Sequence, residues 1–348
     1  MAERERPFVS AVVPCRNERD HIAACLVSIL ANDYPPARCE VVVVDGMSDD
    51  GTRERILDVA AAHSRVRLVD NPARVTPAAL NLGIAETRGA IVLRMDAHVR
   101  YPEDYIGLLV EALETTGAEN VGGVLRTLPG GPGPMAEAIA LGMTHPFGVG
   151  NARFRTGATT PTWVDTVPFG CFRRALFERL GGFDVELVRN QDDEMNGRII
   201  RSGGRILLLP NVVVDYFARP SLHQLARMYY QYGYYKPLVV RKLGGVPTVR
   251  QLVPAGFLLA MAGAALLAWL APTIGRPALA LVAGAYLLGV LGAALGTWSR
   301  TRRTAALLLA VVFPVLHWGY GIGYLRGLLP AMRWRRGSRP VADVALTR

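Results

Sequence analysis

The stretch EVVVVDGMSDDGT, residues 40–52, contains four consecutive valines and turns polar at Asp45. An uninterrupted run of valines favours a strand that is buried on both faces, because a half-exposed strand would alternate apolar and polar residues. The Asp-Asp-Gly-Thr that follows is typical of a turn that caps a helix, with Asp50 or Thr52 supplying the capping oxygen. The pattern therefore predicts a buried strand, a turn and a helix that begins near Thr52.

The same alternation extends to both sides of this stretch. Apolar strands are predicted at 8–14, 40–46, 65–70 and 90–96, and helices at 19–30, 52–63 and 77–87. Apolar strands separated by helices are typical of an α/β domain whose mostly parallel sheet is covered on both faces.

Polar residues follow three of these strands, at the point where each strand ends. They are PCRNE (14–18), DGMSDDGT (45–52) and DAH (96–98). Ligands of such sheets bind outside the carboxyl ends of the strands, so we expect the three clusters to meet at one edge. Neither GxGxxG nor GxxxxGK[ST] follows any of the strands, which argues against a Rossmann dinucleotide site and a P-loop. We expect a nucleotide site of another kind, in which Asp45 accepts a hydrogen bond from the base or the ribose.

The second half of the chain is strongly apolar. Three runs without Asp, Glu, Lys or Arg occupy 252–271, 277–298 and 305–325, and each has about the length that crosses a bilayer. The chain of 348 residues has a formal net charge of +10. Nine Arg and one Asp lie from Ser299 onward, so most of this positive charge is near the end of the sequence. Such a cluster favours an anionic membrane surface over nucleic acid as the basic partner. We predict a membrane region at 251–330 and a basic tail at 331–348.

The amino terminus, MAERERPFVS, lacks the apolar core of a secretory signal, which predicts that the first 250 residues stay in the cytoplasm. The arginines between the second and third apolar runs suit the cytoplasm, but three full crossings would then place the basic tail outside. The third run contains Pro314 and several glycines. A kink, a re-entrant segment and a hairpin all stay open for it.

Four cysteines are scattered without a CxxC pair, which predicts reduced thiols in the core: Cys15, Cys25, Cys39 and Cys171.

PCRNE, VVVVDGMSDDGT and the strand ending in DAH resemble the amino-terminal half of family 2 glycosyltransferases of the GT-A fold. The resemblance implies a GT-A domain over 7–217 that binds a nucleotide sugar, usually a UDP-sugar, with Mn²⁺ or Mg²⁺ at a DxD motif. It places contacts with the donor nucleotide at eight positions: Pro14, Arg16, Glu18, Asp45, Ser48, Asp50, Arg94 and Asp96.

The DxD motif is altered in this chain, because His98 stands where the second acid is expected after Asp96. Side chains two residues apart in an extended segment point the same way, and Mn²⁺ accepts an imidazole more readily than Mg²⁺ does. We predict a metal held by Asp96 and His98. The alternative for His98 is a neutral turn residue hydrogen-bonded to substrate or backbone.

QDDEMNGR, 191–198, resembles the family's acidic catalytic segment. With Arg198 fixing the register, the resemblance places the catalytic base at Asp192, and Asp193 is the competing candidate. The loop VDTVPFGCFRR, 164–174, resembles the loop that borders the acceptor, at Phe169 and Gly170. A purely structural turn is an equal interpretation for Gly170.

The segment 218–250 mixes tyrosines with arginines and lysines, which is typical of amphipathic helices at a membrane interface. The resemblance implies that Gln231, Tyr232 and Lys236 close over the donor diphosphate. Interface packing is the alternative for most of these tyrosines.

RMDAH, QDDEMNGR and YYQYGYYK together resemble the subgroup that builds exopolysaccharides of the succinoglycan type on a polyprenyl-diphosphate carrier. The implied activity is inverting transfer of a hexose, with glucose as first candidate, from a UDP-sugar to a lipid-linked saccharide at a bacterial inner membrane. The implied partners are the donor, the lipid-linked acceptor and the membrane, and no nucleic acid. Two alternatives stay open: a polyprenyl-phosphate glycosyltransferase with a phosphate acceptor, and a non-catalytic membrane protein that binds nucleotides.

Overall fold

The structure is a computed structural model that describes residues 6–246 and 248–334. The chain divides into two compact units. Among the described residues, the first contains 6–126 together with Gly157–Tyr216, and the second contains Thr127–Thr156 and the described part of 217–334. No signal in the sequence predicted that residues 127–156 group with the apolar helices.

The first unit begins with alternating strands and helices, at the predicted places. The strands are β1 (Val9–Cys15), β2 (Cys39–Asp45), β3 (Val66–Asp70) and β4 (Ile91–Arg94); the helices are α1 (Ile22–Leu30), α2 (Thr52–Ala62) and α3 (Thr76–Ala85), with a 3₁₀ turn at Pro36–Arg38. Strand β1 runs parallel to β2 and β4, and β2 runs parallel to β3. Cys15 is level with Asp45, and Asp45 is level with Asp70, so these three strands end at one edge.

The rest of this unit adds antiparallel strands. Its elements are β5 (Val99–Arg100), α4 (Tyr105–Thr115), β6 (Asn120–Leu128), β7 (Thr162–Val164), β8 (Cys171–Arg173), α8 (Arg174–Leu180), α9 (Gln191–Arg201) and β9 (Ile206–Phe217). Strand β8 pairs antiparallel with β4 and β6, and β9 pairs antiparallel with β5 and β7. The sheet order is β3-β2-β1-β4-β8-β6-β9-β5, with β7 beside β9. The sheet is therefore mixed, with its parallel part in β1–β4.

The core of this unit lies on both faces of the parallel strands. Val41, Val42, Val43 and Val44 of β2 are all fully buried, as expected for a strand with helices on both sides. Because β1, β2 and β4 are buried and paired with their neighbours, the loops that follow them start at the same edge of the sheet.

The second unit is helical. Its helices are α5 (Pro134–Thr144), α6 (Pro146–Val149), α7 (Arg153–Thr156), α10 (Leu222–Leu243), α11 (Val253–Leu270), α12 (Pro272–Thr301) and α13 (Leu309–Arg333), with 3₁₀ turns at Val249–Leu252 and Thr304–Leu308. Three stretches are long and apolar enough to cross a membrane: Val249–Leu270, Pro272–Thr301 and Thr304–Arg333. They cover the three predicted apolar runs. Residues 331–333, the first of the predicted basic tail 331–348, form the end of α13, and the rest of that tail beyond Trp334 lies outside the described residues.

Candidate active site

The loops after β1 and β2 are joined by several hydrogen bonds. The Asn17 amide donates to Ser48 Oγ at 2.8 Å, and Asn17 Nδ2 donates to Asp49 Oδ1 at 2.8 Å. The Glu18 amide donates to Thr52 Oγ1, also at 2.8 Å. Two of the predicted polar clusters thus meet at the sheet edge. Asn17 adopts a left-handed backbone, φ 54°, which asparagine tolerates better than most residues; its position in PCRNE was the signal that the prediction overlooked.

Asp45 is at the centre of the second loop. Its side chain is fully buried and lies 2.8 Å from Arg53 Nη1, and its Oδ2 accepts the Ser48 amide at 2.9 Å. Arg53 also pairs with Asp70 at 2.8 Å. The carboxylate therefore fixes the turn that begins α2, and contact with the nucleotide stays a prediction for it.

Asp50 accepts a hydrogen bond from the Thr52 amide at 3.1 Å, at the start of α2. The N-cap residue itself is Gly51, which has a left-handed backbone. Burial opposes ionisation of Asp50, but hydrogen bonds from Thr52 and Arg19 lower its pKa below the ordinary value. Asp50 thus has the helix-starting role that the sequence suggested for it or for Thr52.

Pro14 and Arg16, two of the predicted donor contacts, flank Cys15 at the end of β1. Both are half-buried. Arg16 Nη1 lies 3.4 Å from the Arg74 carbonyl oxygen, and its aliphatic carbons pack against Gly46. These contacts hold Arg16 at the same edge as Asp45.

Arg94 connects the end of β4 to the start of α9. Its Nε and Nη2 donate to the two carboxylate oxygens of Asp96, at 2.9 and 3.1 Å. Its Nη1 lies 3.9 Å from Asp192 Oδ2, and this buried nitrogen has no hydrogen-bond partner among the described residues. Burial disfavours the charge, but Asp96 and Asp192 raise the pKa of Arg94 above its ordinary value. A permanent cation therefore lies between the predicted metal ligand and the predicted base.

Phe169 and Gly170, which come just before β8, support Arg94. The Arg94 amide donates to the Gly170 carbonyl at 3.0 Å, and the Arg94 guanidinium carbon lies 5.9 Å from the Phe169 ring centroid. A Cβ built on Gly170 would lie 2.3 Å from Asn120 Oδ1, so the close packing requires glycine. Both residues are buried. The contacts give them a supporting role, and their proximity to an acceptor stays a prediction.

His98 lies beside Glu18, which belongs to the first polar cluster. His98 Nδ1 is 3.3 Å from Glu18 Oε1, and both side chains are about one-fifth exposed, at 23% and 21%. The Asp96 carbonyl oxygen accepts the Tyr101 hydroxyl at 3.3 Å, which fixes the backbone between Asp96 and His98. No group of three or more His, Cys, Asp or Glu side chains that could hold a metal ion is found within residues 6–246 and 248–334.

Asp192 lies in the first turn of α9, after Asn190 with its left-handed backbone, φ 62°. Its Oδ1 accepts the Asp193 amide at 2.9 Å, and its side chain is 37% exposed. Glu194 pairs instead with Arg198 at 2.8 Å and is almost completely buried. In this acidic turn, Asp192 is thus a partly accessible carboxylate directed toward Arg94.

Gln231, Tyr232 and Lys236, the predicted diphosphate contacts, lie on α10 in the second unit. Gln231 and Lys236 are buried within the protein. Their role toward the donor stays a prediction.

The arrangement in the first unit supports a specific chemistry. Asp192, a partly accessible carboxylate, can accept a proton. The carboxylate of Asp96 and the imidazole of His98, both largely buried, are ligand types suited to a divalent cation.

Comparison with known proteins identifies the family of the chain. The sequence profile of Glycosyl transferase family 2 matches residues 10–181. The succinoglycan biosynthesis protein ExoA of Rhizobium meliloti is 32% identical over 92% of this chain and 95% of its own length. The dolichyl N-acetyl-alpha-D-glucosaminyl phosphate 3-beta-D-2,3-diacetamido-2,3-dideoxy-beta-D-glucuronosyltransferase of Methanococcus voltae is 24% identical over 92% of this chain and 97% of its own length.

Among solved structures, a mannosyltransferase of Pyrobaculum calidifontis in complex with GDP-Man and Mn²⁺ superimposes with a TM-score of 0.60 at 23% identity, over 94% of this chain and 88% of that one. This likeness supports the predicted α/β GT-A fold followed by apolar helices. With the match to ExoA over nearly the whole chain, it confirms the resemblance noted in the sequence: the chain belongs to glycosyl transferase family 2.

Proposed function

We propose that the protein transfers a hexose, with glucose as first candidate, from a UDP-sugar to a saccharide carried on polyprenyl diphosphate, with inversion at the anomeric carbon. The observation that carries the proposal is the position of Arg94, which joins the carboxylate of Asp96 to that of Asp192. The similarity to the succinoglycan protein ExoA supports an exopolysaccharide product. The relative from Methanococcus voltae supports a lipid-linked acceptor.

Asp192 is the general base in this proposal. An acceptor hydroxyl must lose its proton as it attacks the sugar, and a well-placed carboxylate contributes roughly 10²- to 10⁴-fold to such a step. The Asp192 side chain is 37% exposed, which is enough to meet an acceptor. Its Oδ1 accepts a hydrogen bond from the Asp193 amide, which fixes the orientation of the carboxylate. One base acting on one face of the sugar gives direct displacement, so no carboxylate nucleophile is needed.

The residues present fit a divalent cation. Asp96 uses one lone pair on each oxygen to accept from Arg94, which leaves a second lone pair on each, and His98 offers an imidazole two residues on. Asp96 and His98 would hold Mn²⁺ or Mg²⁺. When bound, the cation would supply positive charge beside the leaving diphosphate. Arg94, which stays cationic, adds positive charge on the same side and keeps Asp96 in one orientation.

The location proposed for the protein is a bacterial inner membrane, with the catalytic unit in the cytoplasm. The three long apolar helices support membrane association. A cytoplasmic site would have access both to nucleotide sugars and to a lipid-linked acceptor.

A direct test is to incubate membranes that contain the protein with a panel of radiolabelled nucleotide sugars, including UDP-glucose and GDP-mannose, and to analyse the lipid fraction by mass. Label from UDP-glucose on a lipid-linked saccharide supports the proposal. A sugar joined directly to polyprenyl phosphate would favour the phosphate-acceptor alternative. Absence of nucleoside diphosphate release, UDP or GDP according to the donor, with every donor and membrane extract would favour the non-catalytic alternative.

A further inference from the structure

The third apolar helix differs from the first two in its surroundings. In each stretch we compare the 18 residues that are most apolar. Of these, 39% are buried by the protein in Thr304–Arg333, compared with 6% in Val249–Leu270 and 11% in Pro272–Thr301. Helices α11 and α12 thus present most of their apolar surface outward, whereas α13 has protein on one side. A helix with protein along one side need not cross the bilayer as its neighbours do.

A row of glycines docks α13 onto α10. A Cβ built on Gly319 would lie 3.2 Å from the Ala226 carbonyl oxygen, and Cβ atoms on Gly323 and Gly327 would lie 2.1 Å from the carbonyl oxygens of Tyr230 and Tyr234. Each contact is four residues further along both helices than the one before. The two helices therefore run parallel and in backbone contact over at least two turns.

This register locates the start of α10 along α13. One turn before Ala226 is Leu222, the first residue of α10, and one turn before Gly319 is Val315. A Cβ built on Gly233 of α10 would lie 2.0 Å from the Tyr320 carbonyl oxygen, and the same spacing from this contact sets Leu222 level with Leu309. The start of α10 therefore lies within Leu309–Val315, inside the apolar run 305–325. Before Leu222 the chain is not helical, and Pro220 is exposed. If α13 crossed the bilayer, this exposed irregular backbone would lie within the hydrocarbon core, where lipid-exposed irregular segments do not occur.

The amino-terminal half of α13 is covered by another irregular segment. Gly142 of α5 packs against Val312, and Gly148 of α6 packs against Leu316. The Phe147 carbonyl oxygen lies 2.8 Å from His317 Nε2. Helices α5 and α6 are separated by a break at His145, so a crossing by α13 would carry this break into the bilayer as well.

The opposite face of α13 is an exposed apolar stripe. It consists of Val311, Trp318, Ile322 and Leu329, which are 47%, 41%, 41% and 62% exposed. Spacings of four and seven residues place these side chains on one face of a helix. One apolar face and one protein-covered face are what a helix lying in the plane of a membrane interface requires.

Helices α11 and α12 form an antiparallel hairpin. Phe257 stacks on Tyr286 with ring centroids 4.3 Å apart, and a Cβ on Gly275 would lie 2.1 Å from backbone atoms of Leu267 and Ala268. The 18 residues of α11 span roughly 27 Å at 1.5 Å per residue, close to the thickness of the hydrocarbon core. Arg276 is exposed near the tip of the hairpin. A charge there is best accommodated if the tip reaches the far surface.

We propose that the chain crosses the bilayer twice, through α11 and α12, and that α13 lies with α10 in the membrane interface on the side from which α11 enters, with its apolar stripe against lipid. This topology places Arg300, Arg302 and Arg303 on the same side as Arg326 and Arg333. Three crossings would place the arginines before α13 and those after it on opposite sides of the membrane, against the usual bias of arginine toward one side. Two crossings avoid this conflict. The proposal rests on the membrane association proposed above and is independent of the sugar chemistry.

The test is thiol labelling of single-cysteine variants of the full chain, expressed in bacterial cells and treated with a membrane-impermeant maleimide before or after the cells are broken. Thr273→Cys reports on the hairpin tip, Ser299→Cys on the end of α12, and Arg333→Cys on the end of α13. All three positions are exposed and the first two substitutions are close in size. Arg276→Cys and Thr301→Cys are second reporters for the tip and for the end of α12, in case one variant does not accumulate.

Two crossings predict that the tip variant is labelled in intact cells, whereas the Ser299 and Arg333 variants are labelled only after the cells are broken. Labelling of both Thr273→Cys and Arg333→Cys in intact cells would mean three crossings and would overturn the proposal. Protection of all three positions until the cells are broken would mean a hairpin that does not reach the far surface, which also overturns it. Recovery of the protein in the soluble fraction would refute membrane association itself, whatever its transferase activity.

Discussion

Arg94 donates two hydrogen bonds to Asp96, at 2.9 and 3.1 Å, in a fork that fixes the orientation of that carboxylate. The remaining guanidinium nitrogen lies 3.9 Å from Asp192. Arg94, which comes two residues before Asp96, therefore also neutralises charge beside Asp192, the proposed base. It couples two parts of the site that lie almost a hundred residues apart in the sequence.

Replacing Arg94 should destabilise the first unit. Arg94→Met would leave two carboxylates without their buried cation, and we expect the free energy of unfolding to fall by about 3 kcal/mol, as for other broken buried pairs. Arg94→Lys should have an intermediate effect because it keeps the charge and loses the fork. Urea denaturation in detergent measures both. Arg126→Met is the matched control: Arg126 pairs with Asp215 but is 63% exposed, so its loss should cost at most about 1 kcal/mol. Equal losses for the two methionine variants would contradict the role given to Arg94.

Asp192→Asn should reduce turnover at least about a hundredfold with little change in UDP affinity, because the variant keeps the shape of the side chain and loses the proton acceptor. Steady-state kinetics and equilibrium binding of UDP separate the two effects. Asp193→Asn is the control from the same helical turn and should lose far less. If Asp193→Asn is the more impaired of the two, the base is Asp193.

His98→Asp should change the metal preference of UDP binding. The variant replaces an imidazole by a carboxylate oxygen ligand, which Mg²⁺ prefers, so the ratio of Mg²⁺-dependent to Mn²⁺-dependent affinity should rise. Calorimetric titration of UDP with each metal measures this ratio without turnover. Asp96→Ala should abolish the metal dependence in the same titrations. An unchanged ratio in His98→Asp would remove His98 from the metal site.

Gly323→Ala should weaken the docking of α13 on α10. The added methyl group would meet the Tyr230 carbonyl oxygen at 2.1 Å, so the helices must separate. Gly284→Ala on α12 is the control, because nothing lies within 4 Å of its Cβ position. Thermal unfolding in detergent should show a lower midpoint for Gly323→Ala and an unchanged or higher one for Gly284→Ala. Equal midpoints would show that the helices do not touch at this glycine.

The natural cysteines should be inert to maleimide at neutral pH. Burial raises the pKa of the Cys39 thiol to about 11, and burial raises those of Cys15, Cys25 and Cys171 further above the ordinary value. A raised thiol pKa leaves little thiolate at neutral pH, and thiolate is the reactive form. Mass spectrometry should find no adduct on the native protein and four adducts after denaturation. Labelling of the native protein would contradict the burial of these thiols.

The strands and helices of the first unit could be predicted because each carries its own local signal. The valines of β2 and the Asp50–Thr52 turn form the strand and helix that the pattern predicts, since burial on two faces and helix capping act over a few residues. The membership of residues 127–156 could not be predicted. Their only cue is an apolar composition, and which surface covers an apolar helix depends on elements distant in the chain.

The sequence by itself determined the α/β order and the family, because strand periodicity and motif spacing are properties of neighbouring residues. The tertiary structure decided that Arg94 lies between Asp96 and Asp192, since β4 and α9 meet only when the sheet has formed. It also decided that α13 packs against α10 rather than standing alone. Hydropathy records how apolar a segment is, whereas the partner that buries it is set by long-range packing.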